Sequence, residues 1–168
     1  MVAAPLLLRA ATLAALGGGG VSAVGVDGAP AARGVRLDAF PLARCLDGSA
    51  PIYYIAPGAE RKKFILFHEG GGFCGSIEDC QQRSQGRLGS TSADGDSRLL
   101  SEPYFSTDPL RNPLLHNWTK VFLRYCDGGY YSGDRMDTLP GINGTASSPM
   151  FFRGRYITEA LVTDLKAR

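Results

Sequence analysis

The sequence predicts an α/β protein in which helices pack on a parallel or mixed sheet, and a repeated strand–turn–helix order carries this prediction. Residues 63–68 and 120–125 are short, mostly apolar runs, as expected for strands inside a sheet. Each run ends in a turn that contains glycine, and a helical pattern comes later in the chain after each turn. Hydrophobic residues make up 44% of the 168 residues and charged residues 20%, which indicates one globular domain rather than a disordered chain.

The elements of the first half follow from local composition. Residues 52–55 read Ile-Tyr-Tyr-Ile, a run with high β-propensity. Residues 63–68 are a continuous apolar run after a charged flank, which predicts a strand buried on both faces. Ser76 is expected to cap a helix over residues 77–85, and Asp79 places negative charge in its first turn.

The second half has longer irregular stretches. Glycine-rich residues 86–96 and proline-rich residues 103–113 predict loops. The strand over 120–125 is followed by a long surface segment at 130–149. From Phe152 the apolar residues fall near helical spacing, which predicts a final helix. These apolar residues are Tyr156, Ile157, Ala160, Leu161 and Leu165.

The first 23 residues have the composition of a secretory signal, with leucine-rich apolar stretches and small residues before an expected cleavage after Ala23. We therefore expect a signal peptide at 1–23, a small-residue linker at 24–34 and a folded domain at 35–168, in a secreted, extracellular protein. The alternative for the leader is a disordered Ala/Gly-rich segment. No later stretch approaches the roughly 20 apolar residues that span a bilayer, so we expect no membrane span.

The four cysteines, in a chain with a secretion signal, suggest two disulfide bonds. They are Cys45, Cys74, Cys80 and Cys126. Three pairings are open, and the short separation of Cys74 and Cys80 favours a bridge between them, which leaves Cys45 with Cys126. The alternative is four buried free thiols. CxxC spacing is absent, which disfavours zinc and redox chemistry.

Two triplets match the N-glycosylation acceptor pattern, beginning at Asn117 and Asn143. Asn143 lies in a Gly/Ser-rich stretch and is the better candidate. The triplet of Asn117 has a bulky tryptophan in its middle position.

The segment at 68–73, His-Glu-Gly-Gly-Gly-Phe, is the main chemical signal. Three glycines directly after a buried strand let the backbone turn with its N–H groups unobstructed by side chains. Convergent N–H donors stabilise the oxyanion that forms during ester hydrolysis, and the HGGG-type motif of esterases has this role. The alternative is a structural glycine turn. A phosphate loop is disfavoured, because no Gly-Lys-Ser/Thr follows.

Several separate blocks together resemble the N-terminal half of the pectin acetylesterase family, to which the animal Notum carboxylesterases also belong. The blocks are 45–49 (Cys-Leu-Asp-Gly-Ser), 69–74 (Glu-Gly-Gly-Gly-Phe-Cys), 112–113 (Asn-Pro), 117–118 (Asn-Trp), 124–128 (Arg-Tyr-Cys-Asp-Gly), 132–134 (Ser-Gly-Asp) and 152–155 (Phe-Arg-Gly-Arg). The resemblance implies an α/β-hydrolase-like fold, present here as the N-terminal half of its sheet with flanking helices. It also supports both proposed cysteine pairings.

The resemblance also implies site residues. Gly71 and Gly72 are the expected oxyanion donors, and Phe73 is expected to line the acyl pocket. Asp127 and Ser132 lie in blocks near the family's site and are expected to contact substrate. No Gly-x-Ser-x-Gly elbow occurs among the 168 residues, so the nucleophile, acid and base of the family's triad are expected outside this sequence.

The family resemblance implies a serine carboxylesterase. In Notum-like members an aromatic residue follows two glycines, whereas this chain has Gly72, in the style of the plant enzymes. We therefore expect short acyl esters, above all acetyl, on a cell-wall polysaccharide such as pectin. The alternatives are an inactive secreted pseudoenzyme or glycan-binding module, and an incomplete gene model. No metal or organic cofactor is expected. The net charge of +2 with scattered basic residues disfavours nucleic acid as a partner.

Overall fold

The computed structural model describes residues 28–140 and 149–168, which form one mixed sheet with flanking helices. Its elements are β1 (Ala31–Arg36), β2 (Ile52–Ala56), β3 (Glu60–His68), α1 (Ile77–Ser84), β4 (Ser97–Leu99), a short 3-10 helix (Pro103–Phe105), β5 (Trp118–Leu123) and α2 (Gly154–Ala167). The strand order is β3-β5-β2-β1-β4. The strands β3 and β5 are parallel, and the other neighbours are antiparallel. The predicted α/β class is therefore confirmed.

The two faces of the sheet bury different clusters. Successive residues of a strand point to opposite faces, so β5 contributes to both. Val121 and Leu123 pack with Ile157 and Leu161 of α2 on one face. On the other face Phe122 packs with residues that include Leu100 and Phe105. The sheet is thus covered on both sides at its centre, and the site loops follow the ends of β3 and β5.

Three predicted elements have the expected places. The strand β2 and the helix α2 form where the patterns indicate. The helix α1 begins after Ser76, whose hydroxyl accepts a hydrogen bond of 3.2 Å from the amide of Asp79. That capping bond satisfies one of the free amides of the first turn.

The predicted linker is wrong from Ala31 onward, because residues 31–34 belong to β1. This strand pairs with both β2 and β4. Its small residues reflect crowding rather than flexibility: a Cβ on Gly34 would lie 3.0 Å from the side chain of Ile52 and 3.3 Å from the backbone of Asp96. Composition alone does not distinguish small residues in a flexible linker from small residues in a crowded strand.

The strand β3 was predicted to be buried on both faces, and this is also wrong. It lies at the edge of the sheet, and of the strands described only β5 pairs with it. Leu66 is 41% exposed, while Phe64 and Phe67 are partly buried. An unpaired edge beside exposed apolar side chains is a template for association with another chain.

The exposed edge of β3 should make the chain self-associate, and Leu66→Lys should reduce this association. Lysine on an edge strand opposes pairing because its charge would have to be desolvated. Light scattering against protein concentration measures the effect. The control is Leu110→Lys, since Leu110 is 92% exposed in a turn away from the sheet. A wild-type chain that stays monomeric throughout, or equal effects of both substitutions, would contradict the prediction.

Both predicted disulfide bonds are present, Cys45 with Cys126 and Cys74 with Cys80. The long bridge ties the turn after β1 to the end of β5, and the short one ties the glycine segment to α1. Each therefore holds a loop that leaves the sheet.

Four other predictions concern the leader, the two glycosylation acceptors and membrane spans. The signal peptide and Asn143 lie outside the described residues. Asn117 is partly buried and its carbonyl accepts from Glu60, so glycosylation there stays a prediction. No helix in residues 28–140 or 149–168 has the length and apolar character needed to cross a bilayer.

Candidate functional site

The glycine segment 70–72 leaves β3 and folds over the side chain of Tyr125. A Cβ on Gly71 would lie only 2.1 Å from the Tyr125 ring, so any side chain there would collide with it. Gly72 has a φ of +75°, a left-handed conformation that favours glycine. Glycine is therefore required at position 71 by the close approach of the Tyr125 ring, and it is favoured at position 72 by the left-handed backbone.

The carbonyl oxygens of this segment are held by side chains. The hydroxyl of Tyr131 donates to the carbonyl of Glu69 at 3.1 Å. Arg83 donates to the carbonyl of Gly71 at 2.7 Å, and the hydroxyl of Tyr125 donates to that of Gly72. Three side chains from α1 and the loop after β5 thus fix the direction in which the peptide planes point.

The amides of Gly70, Gly71 and Gly72 have a different environment. Across the described parts of the chain, no backbone or side-chain hydrogen bond uses these three N–H groups, although Glu69 and Cys74 on either side donate to carbonyls of Leu123 and Gly128. Gly70 is exposed, and Gly71 and Gly72 are partly buried. Amides in such positions that lack a protein partner are available to water or to a ligand. The segment therefore combines bound carbonyls with available amides.

A buried ion-pair cluster supports the start of the segment. Arg124 is 1% exposed and donates to Glu69 at 2.7 Å and to Asp94 at 3.1 Å. The same guanidinium also donates to the carbonyls of Tyr125 and Arg87. Glu69 in turn accepts from the amide of Tyr125 at 3.0 Å and from the side chain of Arg87 at 2.9 Å. The carboxylate that precedes the glycines is thereby fixed at both oxygens.

The pKa values of this cluster follow from these contacts. Burial raises the pKa of Glu69, but the Tyr125 amide, the charge of Arg124 and the Arg87 bond outweigh it and hold the pKa below its usual range. Burial, together with the charge of Asp127, raises the pKa of Tyr125 to about 12, so its hydroxyl stays protonated and able to donate.

A second loop, residues 127–132, lies against the glycine segment. The amide of Cys74 donates to the carbonyl of Gly128 at 3.0 Å, and Phe73 forms an antiparallel bridge with Gly129. The structure therefore brings all five predicted site residues onto two adjoining loops. They are Gly71, Gly72, Phe73, Asp127 and Ser132.

The side chains on these loops differ in accessibility. Asp127 is 1% exposed, and it accepts from the amide of Tyr131 at 2.8 Å. Burial raises the pKa of Asp127. Ser132 is exposed and its hydroxyl donates to the carbonyl of Gly129, while Phe73 is 62% exposed. Contact of these three residues with substrate stays a prediction.

Sequence reasoning missed the residues that orient the segment. The ring of His68, the first residue of the motif, packs edge-on against Tyr131 at 4.8 Å, and Glu69 makes the bonds that orient the segment. The signal for Arg124 and Tyr125 was present in the Arg-Tyr-Cys-Asp-Gly block, where a charged residue ends an apolar strand. No comparable signal marks Arg83, which reaches the segment only because α1 folds back over it.

The arrangement is suited to binding an oxygen that carries negative charge. Adjacent amides whose carbonyls are fixed are preorganised dipoles, and oxyanion stabilisation uses dipoles of this kind. Among the residues the structure describes, no group of His, Cys, Asp or Glu has the arrangement of a metal site.

The fold is α/β-hydrolase-like, and a glycine loop directly follows the edge strand β3. Consistent with this class, the Wnt deacylase Notum from Drosophila has a similar structure, with a TM-score of 0.70 and 24% identity over 82% of this chain. At that identity the likeness concerns the fold.

A model of the pectinacetylesterase family matches residues 35–168, and the chain belongs to this family. Pectin acetylesterase 4 of Arabidopsis thaliana is 38% identical over 128 residues, which cover 72% of this chain. The palmitoleoyl-protein carboxylesterase NOTUM of Schmidtea mediterranea is 29% identical over 137 residues, or 77% of this chain. The matched region spans 29% of the plant protein, 24% of the planarian protein and 38% of the Drosophila structure.

Proposed function

We propose that the chain supplies the oxyanion-binding part of a carboxylic ester hydrolase that removes acetyl groups from an extracellular polysaccharide such as pectin. Gly71 and Gly72 donate their amides to the oxygen of the acyl carbonyl as it becomes negatively charged. The nucleophilic serine, the acid and the base come from polypeptide beyond these 168 residues. The reaction class is acyl transfer to water through a serine ester.

One observation carries the proposal: side chains hold the carbonyls of Glu69, Gly71 and Gly72, while the amides of Gly70 to Gly72 have no partner among the described residues. The segment is thus held through its acceptors, and its donors stay available to a ligand. Family membership supports the esterase class, and the glycine at position 72 favours a short acyl group.

The two disulfide bonds support an extracellular location, because such bonds persist in oxidising compartments. A cell-wall polysaccharide is the substrate that fits this location and the plant relatives named as pectin acetylesterases.

The second candidate function is a secreted module that binds an acylated glycan without cleaving it. It is favoured by the sequence, in which no Gly-x-Ser-x-Gly elbow occurs.

Substitution at Gly72 should reduce acetate release from acetylated pectin, measured with the protein translated from the complete transcript. Gly72→Ala forces a side chain into a left-handed position with a φ of +75° and turns the amide away, which should lower kcat on the order of tenfold to a hundredfold. Gly70→Ala is the matched control, since a Cβ there meets nothing within 4 Å.

Three outcomes separate the candidates. Loss in Gly72→Ala with a normal rate in Gly70→Ala supports the esterase. Equal rates in all three proteins would show that these amides do not act. Binding of acetylated pectin without acetate release from the complete protein would favour the binding module. The 168-residue chain alone should release no more acetate than its Gly72→Ala variant.

A further inference from the structure

Two exposed aromatic rings stand beside the glycine segment. Phe73 directly follows Gly72 and is 62% exposed, and Tyr130 is 50% exposed. Their ring centroids are 4.6 Å apart with an interplanar angle of 55°. Large exposed aromatic surface next to unpaired amides is unusual for a soluble domain and indicates a contact surface.

The pair is held in place by the structure beneath it. The backbone of Phe73 bridges to Gly129, and the Tyr130 ring rests against the Tyr125 ring at 6.1 Å. The next residue, Tyr131, is anchored through its hydroxyl to the carbonyls of Glu69 and Leu123. The two outer rings are thus presented by an anchored loop, so a ligand would not have to order them.

The backbone of Tyr130 is in an unfavourable conformation. Its φ is 52°, and that of Tyr131 is 59°, both in the left-handed region that residues with a side chain disfavour. At Tyr131 the burial and the hydrogen bonds of the side chain offset the cost of the left-handed backbone. The half-exposed ring of Tyr130 gains much less from packing, and strained backbone of this kind is concentrated at functional sites.

We propose that Phe73 and Tyr130 form a carbohydrate subsite on which one pyranose ring of the polysaccharide stacks, next to the amides that bind its acetyl group. The ligand class rests on the proposed function. The face of an aromatic ring is electronegative and attracts the polarised C–H bonds on one face of a sugar. Both residues are at least half exposed, which leaves ring surface available to a sugar.

The position of the pair fits an acetylated sugar. Phe73 directly follows Gly72, and its backbone bridges to Gly129 beside Tyr130, so the pair and the amides belong to adjoining stretches of the two loops. In the proposed complex a sugar stacked on the pair presents its own acetyl group to the amides. The pair selects the glycan, and the amides act on the ester.

The test is a binding titration of the 168-residue chain with an oligogalacturonide, with and without O-acetyl groups, followed by NMR. Tyr130→Asn and Phe73→Ala should each weaken binding of both ligands by roughly tenfold. Leu110→Ala is the control, because Leu110 is 92% exposed in a distant segment of the chain, and its affinity should match wild type. Since asparagine adopts left-handed backbone readily, Tyr130→Asn should keep or raise the melting temperature while it loses affinity.

Several other outcomes would overturn the proposal. No binding by wild type, or unchanged binding by both variants, would exclude the subsite. Binding that requires the acetyl group, or that decanoate displaces, would assign the rings to the acyl chain. A lower melting temperature in Tyr130→Asn that accounts for the lost affinity would make the ring structural. Binding without acetate release from the complete protein would contradict the proposed esterase function but would still support the subsite. Acetate release from pectin that Tyr130→Asn leaves unchanged would contradict the subsite but would still support the esterase function.

Discussion

Replacing Arg124 with methionine should lower the free energy of unfolding by about 3–5 kcal/mol. The guanidinium is 1% exposed and binds both Glu69 and Asp94, so its removal leaves two largely buried carboxylates without their partner. Urea unfolding followed by circular dichroism measures the loss. This loss is a large part of the total free energy of unfolding expected for a domain of this size.

The matched control is Arg155→Met. Arg155 also pairs with two carboxylates, Asp134 and Glu159, but its side chain is 56% exposed, so the loss should be much smaller than in Arg124→Met. Similar losses in the two variants would show that burial of the Arg124 cluster does not determine its contribution.

Acid adds an independent readout of the same cluster. The pKa of Glu69 lies below its ordinary value of 4.5, so the stability it contributes is complete above that pH and is lost as the pH falls through the lowered folded-state pKa. The wild-type chain should therefore lose this part of its stability below about pH 4.5, and Arg124→Met, which has already lost the pairing, should show a weaker acid dependence there.

Removing the bridge between Cys45 and Cys126 by a double alanine substitution should cost about 4 kcal/mol. The two cysteines are separated by 81 positions, so the bridge restricts a long loop of the unfolded chain. The control is the corresponding double substitution at Cys74 and Cys80, which are 6 positions apart and should cost about 2 kcal/mol. Thermal unfolding under non-reducing conditions measures both.

Removal of the two bridges should also differ in which regions show faster hydrogen exchange. Loss of the long one should raise hydrogen exchange across the whole sheet, because it acts on the global unfolding equilibrium. Loss of the short one should raise it mainly around Cys74 and α1. A larger global loss from the short bridge would show that local strain or packing, rather than loop length, controls stability here.

The elements that sequence identified well are those whose signal is local. Residues 52–55 and the cap at Ser76 depend on β-propensity and on a side chain three residues from its partner, and both are present in the structure. The strand β1 was missed because small residues mark both a linker and a crowded strand, and only the approach of Ile52 to Gly34 distinguishes them. Burial of β3 was overestimated because the sequence of a strand does not state how many neighbours it has.

The candidate site was predictable in part for the same reason. The glycines are contiguous, so their role could be proposed from the motif alone. The contacts that direct them span long separations, such as the 55 positions between Glu69 and Arg124 and the 53 between Gly72 and Tyr125. No spacing rule connects such residues before the fold has brought β3 and β5 side by side.

The backbone at position 72 limits which residues this turn can accept. A Cβ there would meet only Arg83, at 3.7 Å, so there is space for a larger side chain. The φ of +75° nevertheless penalises residues with a side chain, asparagine and aspartate least. Gaining an aromatic residue at this position therefore demands a new backbone path as well as a new codon.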